Sequence, residues 1–240
     1  MGKLFTEEVN LFQKLLTQLK PNYQKCAVVE VGMGTAELFS KVVDDYDMLV
    51  GVEISQQMID FAYQLHDNLK QHKDGKVRLQ LGNAVELNDV ITKNIYSADD
   101  EFWAPTTLRL TCMCMNTFGI LPDFIRNECL KEMLLCTGPG GKMVIGCWHR
   151  DSLRTGYEQF YTKHPELCGE CKESDFDFEK GNFACSTSDY TSHWWTGDEL
   201  REMISANFPG DKKDLTINFE VLGVGIFAIC DIAKDAKLSR

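Results

Sequence analysis

Ala27-Val28-Val29-Glu30-Val31-Gly32-Met33-Gly34-Thr35 is a short β-branched run that passes directly into a glycine turn, with helical periodicity over 35–43 behind it. Glycine at 32 and 34 lets the backbone come close to a ligand at the carboxyl edge of that strand. A second run, Met48-Leu49-Val50-Gly51-Val52, ends in Glu53, whose carboxylate can accept hydrogen bonds from both hydroxyls of a ribose. A dinucleotide-binding turn needs a third glycine at position 37, and Glu37 stands there instead. A carboxylate in the first helical turn repels a diphosphate, and Glu30 at the strand end suits a cationic ligand tail. The expected ligand is a nucleoside without phosphates.

Outward from this turn the same rhythm repeats. Strand-like runs at Val77-Arg78-Leu79-Gln80-Leu81, Thr107-Leu108-Arg109-Leu110-Thr111 and Lys142-Met143-Val144-Ile145-Gly146 alternate with helical patterns at 55–69, where Ser55 caps, and at 122–135, ahead of Gly138-Pro139-Gly140-Gly141. Alternating strands and helices predict an α/β fold with a parallel sheet covered on both faces. The tail differs: runs over 215–222 and 224–231 are joined through Gly223, so closely that they must pair antiparallel. Leu4, Val9, Phe12, Leu15, Leu16 and Leu19 form one face of an N-terminal helix within 1–20, stopped by Pro21. The stretch 151–196 breaks the rhythm with aromatics and predicts a cap inserted within one domain spanning 1–240; residues past Ala233 are expected to be a solvated end.

Composition narrows the partners. The chain has 240 residues, 44% hydrophobic and 25% charged, and 36 acidic against 25 basic residues give a net charge of −11. That balance argues against nucleic acid and anionic membrane, whose binding depends on neutralising phosphates with basic side chains. The 10 cysteines are scattered through core-like strands, no apolar signal stretch opens the chain, and the longest apolar run is too short to cross a bilayer, so a reducing cytoplasm is expected. Cys168-x-x-Cys171 with His164 and Cys185 is a single close pair, and no metal site is expected.

The turn, Glu53 and the paired final strands together resemble the class I S-adenosylmethionine-dependent methyltransferases, over roughly 26–232. The resemblance implies a Rossmann-like fold, a seven-stranded mostly parallel sheet with an antiparallel last strand, and S-adenosylmethionine as cofactor. It further implies that Glu30, Gly32, Met33 and Gly34 surround the methionine part, that Glu53 holds the ribose, and that Ile54 and Met58 flank the adenine. Leu81-Gly82-Asn83-Ala84-Val85 occupies the place of a strand-three motif that addresses the adenine amino group. Asn83 there replaces the commoner Asp but keeps an accepting oxygen, and Ala84 stands beside it.

After the fourth strand, Cys114-Met115-Asn116-Thr117-Phe118-Gly119 occupies the position where such proteins contact the methyl-donor and acceptor ends, which makes Met115 a cofactor contact and Asn116 a candidate to orient the acceptor. The Pro-Pro-aromatic sequence of amino-methyltransferases acting on DNA is absent here. Trp148, Tyr157, Tyr161 and Trp194 are the aromatic and Arg150 and His193 the polar candidates for a small acceptor pocket, where rings exclude water and a cation grips a carboxylate. His149 and His193, with reference pKa near 6.5, are candidate proton acceptors. The run Tyr190-Thr191-Ser192-His193-Trp194-Trp195 is similar to those of small-molecule N-methyltransferases acting on glycine and sarcosine and of the methylating module of ovothiol synthesis. The expectation is in-line methylation of a small amine, amino acid or imidazole nitrogen. O- or S-methylation, a non-catalytic adenosyl-binding regulatory role and a nicotinamide oxidoreductase remain as alternatives on the residues alone.

Overall fold

The computed structural model describes residues 2–72, 75–97 and 100–239, with side chains from 6 onward; Leu4, assigned above to the apolar helix face, lies outside the described side chains. Five strands, β1 (Lys25–Val31), β2 (Met48–Glu53), β3 (Val77–Leu81), β4 (Thr107–Met113) and β5 (Lys142–Trp148), form the parallel part of the sheet. Three short strands, β6 (Phe176–Asp177), β7 (Asn182–Ala184) and β8 (Thr191–His193), make a separate small sheet. The closing pair β9 (Leu215–Leu222) and β10 (Gly225–Ile232) completes the order β3-β2-β1-β4-β5-β10-β9, with β10 antiparallel to both neighbours. The expected topology is therefore the observed one. β1 is third in that order, beside β4, so the glycine turn sits where the strand order reverses.

The inner strands β1, β2, β4, β5 and β10 are buried on both faces. Ala27, Val29 and Val31 of β1 face α5 (Leu87–Asn94), α7 (Asp123–Thr137) and α10 (Gly197–Asn207), and Cys26 and Val28 face α1 (Gly2–Leu19), α2 (Glu37–Val42) and α3 (Gln56–Leu65). On α1, Leu11, Phe12, Leu15 and Leu16 are buried, each contributing about 1.5–3 kcal/mol relative to exposure. The periodicity over 55–69 is interrupted at His66, whose extended backbone ends α3 and starts α4 (Asp67–Gln71). A side-chain bond from Asn68 Nδ2 to the Ser40 carbonyl (2.7 Å) ties α4 back to α2. α5 has no side-chain N-cap and little to announce it in the sequence; it is held because Leu87, Asn88, Val90 and Ile91 bury against α7.

One element departs from the sequence reading. The end beyond Ala233 is not a solvated tail: Ala236 is buried, Leu238 packs on the same core, and Ser239 N–H donates to the Pro209 carbonyl (3.1 Å). Between β5 and α10, over the stretch expected to be an inserted cap, the chain forms α8 (Leu153–Gln159), α9 (Pro165–Cys168) and the small sheet around a separate cluster of Leu153, Tyr161, Phe176, Phe183 and Trp194. The remaining helix, α6 (Thr117–Ile120), is one turn long and follows β4. No helix among the described residues is long and apolar enough to cross a membrane.

Candidate active site

The turn after β1 is built on backbone that only glycine adopts without strain: Gly32 has φ +66° and Gly34 φ +55°. Gly32 N–H donates to the Val52 carbonyl (2.8 Å), which locks the turn to β2, and a Cβ at Gly32 would stand 2.6 Å from the Thr117 methyl group. Glu53 is anchored from both sides: Gly34 N–H donates to Oε2 (3.0 Å) and Ser55 N–H to Oε1 (3.0 Å). Each oxygen retains accepting capacity, and the side chain is fixed in direction before any ligand arrives. Gly82 N–H donates to the Glu53 carbonyl (2.9 Å), so the strand-three segment is tied to the same point.

These residues wall a cavity of about 360 Å³ that includes Gly32, Gly34, Glu53, Ile54, Met58, Asn83 and Ala84. Ile54 is 73% exposed and Met58 39%, large apolar side chains that a ligand would cover. Asn83 Oδ1 accepts from Val85 N–H (3.2 Å), which caps the following turn and leaves its second lone pair toward solvent. Thr117, Ile120, Leu121 and Ile125 close the opposite wall. Sequence reasoning missed these four; the apolar run just after β4, beginning a one-turn helix that cannot bury its own face, was the available signal. Among the described residues no lysine or arginine lines the cavity, and Glu53 is its one carboxylate. That donor set fits a neutral or cationic nucleoside and not a diphosphate.

Two of the cofactor candidates stand elsewhere. The Met33 side chain is buried over Gly51 in the core, so only its backbone belongs to the turn. Glu30 points to the α1 side of the sheet, 5% exposed, beside Glu8, which is 1% exposed. Each of these two carboxyls keeps one buried oxygen, Oε2, without a hydrogen-bond partner. Burial pushes Glu8 up to about 7, against smaller opposing effects of the Cys114 thiol and the Met115 backbone. Burial also raises Glu30 well above the carboxylate range, reinforced by the charges of Glu8 and Glu53.

A smaller cavity of about 200 Å³ adjoins the first across Ile120, and is lined by Met115, Asn116, Trp148, Phe160, Leu167, Cys168 and Tyr190. Met115 and Asn116 both have left-handed backbone, φ 52° and 60°, strain for non-glycine residues of the sort that clusters at functional sites. In the Asn116 amide, Nδ2 donates to Ser192 Oγ (3.0 Å) and Oδ1 accepts from Trp148 N–H (3.0 Å). Asn116 thus fastens the β4 loop to β5 and β8 while lining the cavity, with one N–H and one lone pair left over for an acceptor. Phe160, Leu167, Cys168 and Tyr190 were not singled out as site residues, because which ring of an aromatic-rich segment faces inward is a tertiary property.

The other aromatic and polar candidates are corrected by their packing. Tyr161 and Trp194 are 1% and 3% exposed, and Trp194 Nε1 donates to the Tyr161 hydroxyl (3.2 Å) inside the cap cluster. Tyr157 packs on Phe176 with ring centroids 4.9 Å apart. Arg150 is ion-paired with Glu199, whose Oε2 also accepts from Thr196 N–H (2.9 Å) to cap α10, so no free cation remains there to grip a carboxylate. His149 lines neither cavity; its N–H donates to the Val224 carbonyl (2.8 Å) and its Nδ1 lies 3.9 Å from Asp151. His193 lines a third, wider cavity of about 990 Å³ between α7, α10 and the small sheet. There Nδ1 lies 2.6 Å from Asn182 Oδ1 and the ring meets Trp195 edge-on at 4.3 Å; burial lowers its pKa. That largest cavity is not where the glycine turn and Glu53 converge, and its Arg126 is turned inward onto the Phe118 and Gly119 carbonyls (3.1 and 3.0 Å). Among the described residues no three His, Cys, Asp or Glu side chains are arranged to hold a metal ion.

No family model and no curated protein matches the sequence. Solved structures do match the fold. The chain is similar to an S-adenosylmethionine-dependent methyltransferase from Clostridium acetobutylicum ATCC 824, at 13% identity over 92% of this chain and 89% of that one, with a TM-score of 0.56. It is similar to SAM-dependent methyltransferases from Methanosarcina mazei at 16% identity, over 89% and 96% of the two chains, with a TM-score of 0.57. It is also similar to the methyltransferase domain of bacterial CtHen1-C at 11% identity, over 96% and 99%, with a TM-score of 0.60. At these identities the likeness is one of fold: the Rossmann-like methyltransferase architecture, with its reversed last strands, is the architecture of this chain.

Proposed function

We propose that the chain is an S-adenosylmethionine-dependent methyltransferase that acts on a nitrogen of a small amine or imidazole compound. The observation that carries this reading is Glu53, held between the Gly34 and Ser55 N–H groups at the head of a nucleoside-sized cavity that no cation lines and that adjoins an aromatic cavity at Ile120. Glu53 would accept from the ribose hydroxyls, Ile54 and Met58 would cover one face of the adenine, and Asn83 would meet its amino group. When bound, S-adenosylmethionine supplies its methyl group as a sulfonium, which an acceptor lone pair displaces in line to leave the neutral thioether.

Trp148, Phe160 and Tyr190 supply an apolar wall that excludes water and favours a cationic or soon-to-be cationic nitrogen through its ring faces. With Arg150 paired to Glu199, an acceptor that carries a carboxylate has no partner in this wall, so an amine or imidazole is favoured over an amino acid. No ionisable side chain other than the Cys168 thiol and the Tyr190 phenol lines this cavity among the described residues, and burial raises both out of the range of a base at neutral pH. The chain's own contribution is therefore alignment and desolvation, which a neutral nitrogen nucleophile needs and an alcohol finds insufficient. The net charge of −11 supports a small molecule over nucleic acid as the acceptor.

The test is methylation of a metabolite extract with isotopically labelled donor, read by mass spectrometry. A labelled amine supports the reading; donor bound with no product would favour a regulatory adenosyl-binding role. Glu53→Ala is expected to weaken donor binding by about 1.5–3 kcal/mol, roughly 10- to 150-fold, as measured by calorimetry. Unchanged affinity would remove the ribose assignment.

A further inference from the structure

The amino-terminal edge of the sheet, at the opposite end of the strands from the glycine turn, holds a cavity of about 660 Å³. Tyr23 and Gln24 before β1, Trp103 and Thr106 before β4, Arg109 in β4 and Lys234 after β10 line it. Arg109 is the unusual member. It is 8% exposed, in a strand buried along its whole length, and has no carboxylate partner among the described residues.

Its guanidinium is held by carbonyl groups alone. Nε donates to the Cys136 carbonyl (2.8 Å) and Nη1 to the Phe102 carbonyl (3.2 Å), and among the described residues Nη2 makes no hydrogen bond. Space for that nitrogen is kept by Gly138, at φ +67°, where a Cβ would stand 2.0 Å from Nη2. The guanidinium thus carries its charge in a mostly buried place with no carboxylate beside it, its Nη2 edge open toward the cavity, and burial lowers its pKa; an anion at that edge would supply the missing partner.

The rest of the wall repeats the theme. The Arg109 guanidinium carbon lies 5.5 Å from the Trp103 ring centre, and Lys234 Nζ lies 5.0 Å from the Tyr23 ring centre. In a chain of net charge −11, no aspartate or glutamate lines this cavity among the described residues. Two cations and two flat rings, with rigid prolines at 21, 105 and 139 framing the mouth, match an anion that carries a flat apolar body.

We propose that this cavity binds a small aromatic carboxylate, its carboxylate on the free edge of Arg109 and toward Lys234, its ring against Tyr23 and Trp103. β4 separates it from the candidate methyl-transfer site by roughly 20 Å, so its occupant does not compete with the donor nucleoside. The site stands whether or not the methyltransferase reading does.

Calorimetric titration of the full chain at constant ionic strength tests it with sodium benzoate, sodium cyclohexanecarboxylate and inorganic phosphate as probes. Saturable benzoate binding with Kd below about 1 mM is expected, with phosphate at least about tenfold weaker and the non-aromatic carboxylate intermediate. Arg109→Gln should abolish saturation. Because Arg109 also ties down two carbonyls, so that its replacement costs stability as well as binding, Lys234→Glu is the deciding change: the exposed side chain carries no fold contact of that kind, and its reversal should weaken benzoate at least about fivefold. A crystal soaked with para-bromobenzoate should place the bromine in this cavity. Absence of saturable benzoate binding up to about 10 mM, equal affinity in Lys234→Glu, phosphate binding as tightly as benzoate, or bromine located elsewhere would each overturn the proposal.

Discussion

The two cavities that meet at Ile120 are made by different physics. The nucleoside side is made by backbone: left-handed glycines, a Gly32 N–H on the Val52 carbonyl, and a carboxylate pinned by two main-chain donors. The acceptor side is made by side-chain packing in a region of short helices and strands, where Phe176 stacks on Phe183 at 4.3 Å and Tyr161 meets Phe183 at a tilt at 4.4 Å, and only the rings left over face the cavity. Backbone geometry is dictated by residues adjacent in the chain, whereas packing is settled by residues that are distant in it. A site of the first kind therefore tolerates few changes and loses function steeply, and one of the second kind can be retuned.

The sharpest break in this comparison comes at Gly32. Gly32→Ala combines left-handed strain of about 1–2 kcal/mol with a Cβ placed 2.6 Å from the Thr117 methyl group, and should lower donor affinity at least about 100-fold together with the melting temperature. Adding Thr117→Ser removes that methyl group. The double variant should regain the clash component and keep the strain, so calorimetry and melting curves on the pair separate the two effects. No recovery would mean that the turn shifts as a unit and that its fit to Thr117 is not what fixes it.

Next in size is the buried Glu8, which links α1 to the strained Met115 and so to the smaller cavity. Its carboxyl titrates near 4.3 when unfolded and near 7 when folded, so the folded state holds the proton more tightly. The stability this contributes is present below about pH 4.3 and is lost as pH rises to about 7, an effect on the order of 3 kcal/mol. Around Glu8 and the neighbouring Glu30 of β1 stand Cys112 on β4, Cys114 just after it and Glu53 on β2, and none of these supplies positive charge. Glu8→Gln mimics the protonated form, so its melting temperature should match the parent near pH 4 and exceed it increasingly up to pH 8. A difference independent of pH would show that Glu8 is ionised throughout.

How far the sequence could be read follows the same division. The strands, the glycine turn and Glu53 were legible because each rests on a local signal: β-branched runs, glycine where φ must be positive, a carboxylate closing a strand. The antiparallel pair was legible because Gly223 leaves no room for a crossover. The reading failed where the determinant was tertiary. Arg150 looks like an acceptor anchor until Glu199, 49 residues away, is seen to pair with it. Trp194 and Tyr161 have the composition of a binding wall and lie inside a core; Phe160 and Tyr190, of the same composition, line the cavity.

The retunable side should respond to Phe160→Ala with a smaller, selective effect. Removal of one ring from a partly exposed wall should raise the acceptor KM about tenfold and leave donor affinity within about twofold, because Phe160 lines the small cavity and not the nucleoside cavity. A change in donor affinity of similar size would mean that the two cavities are one site energetically, and the comparison above would collapse.

The smallest effect is expected at His193, although a histidine near an alkyl-transfer site is the obvious base. Its Nδ1 is taken by Asn182, its ring is braced on Trp195, and it faces the wide cavity on the far side of the loop from Met115 and Trp148. Burial lowers its pKa, so it is neutral at pH 7 without any help from catalysis. His193→Gln keeps a hydrogen-bonding partner for Asn182 and should change kcat/KM by less than about threefold, with the pH profile unmoved. A loss beyond about 100-fold, with the basic limb of the profile shifted, would put proton removal on His193. It would also move the acceptor across the loop, into a cavity whose charged lining, Asp123, Arg126, Glu199 and Glu202, would then choose a different class of substrate.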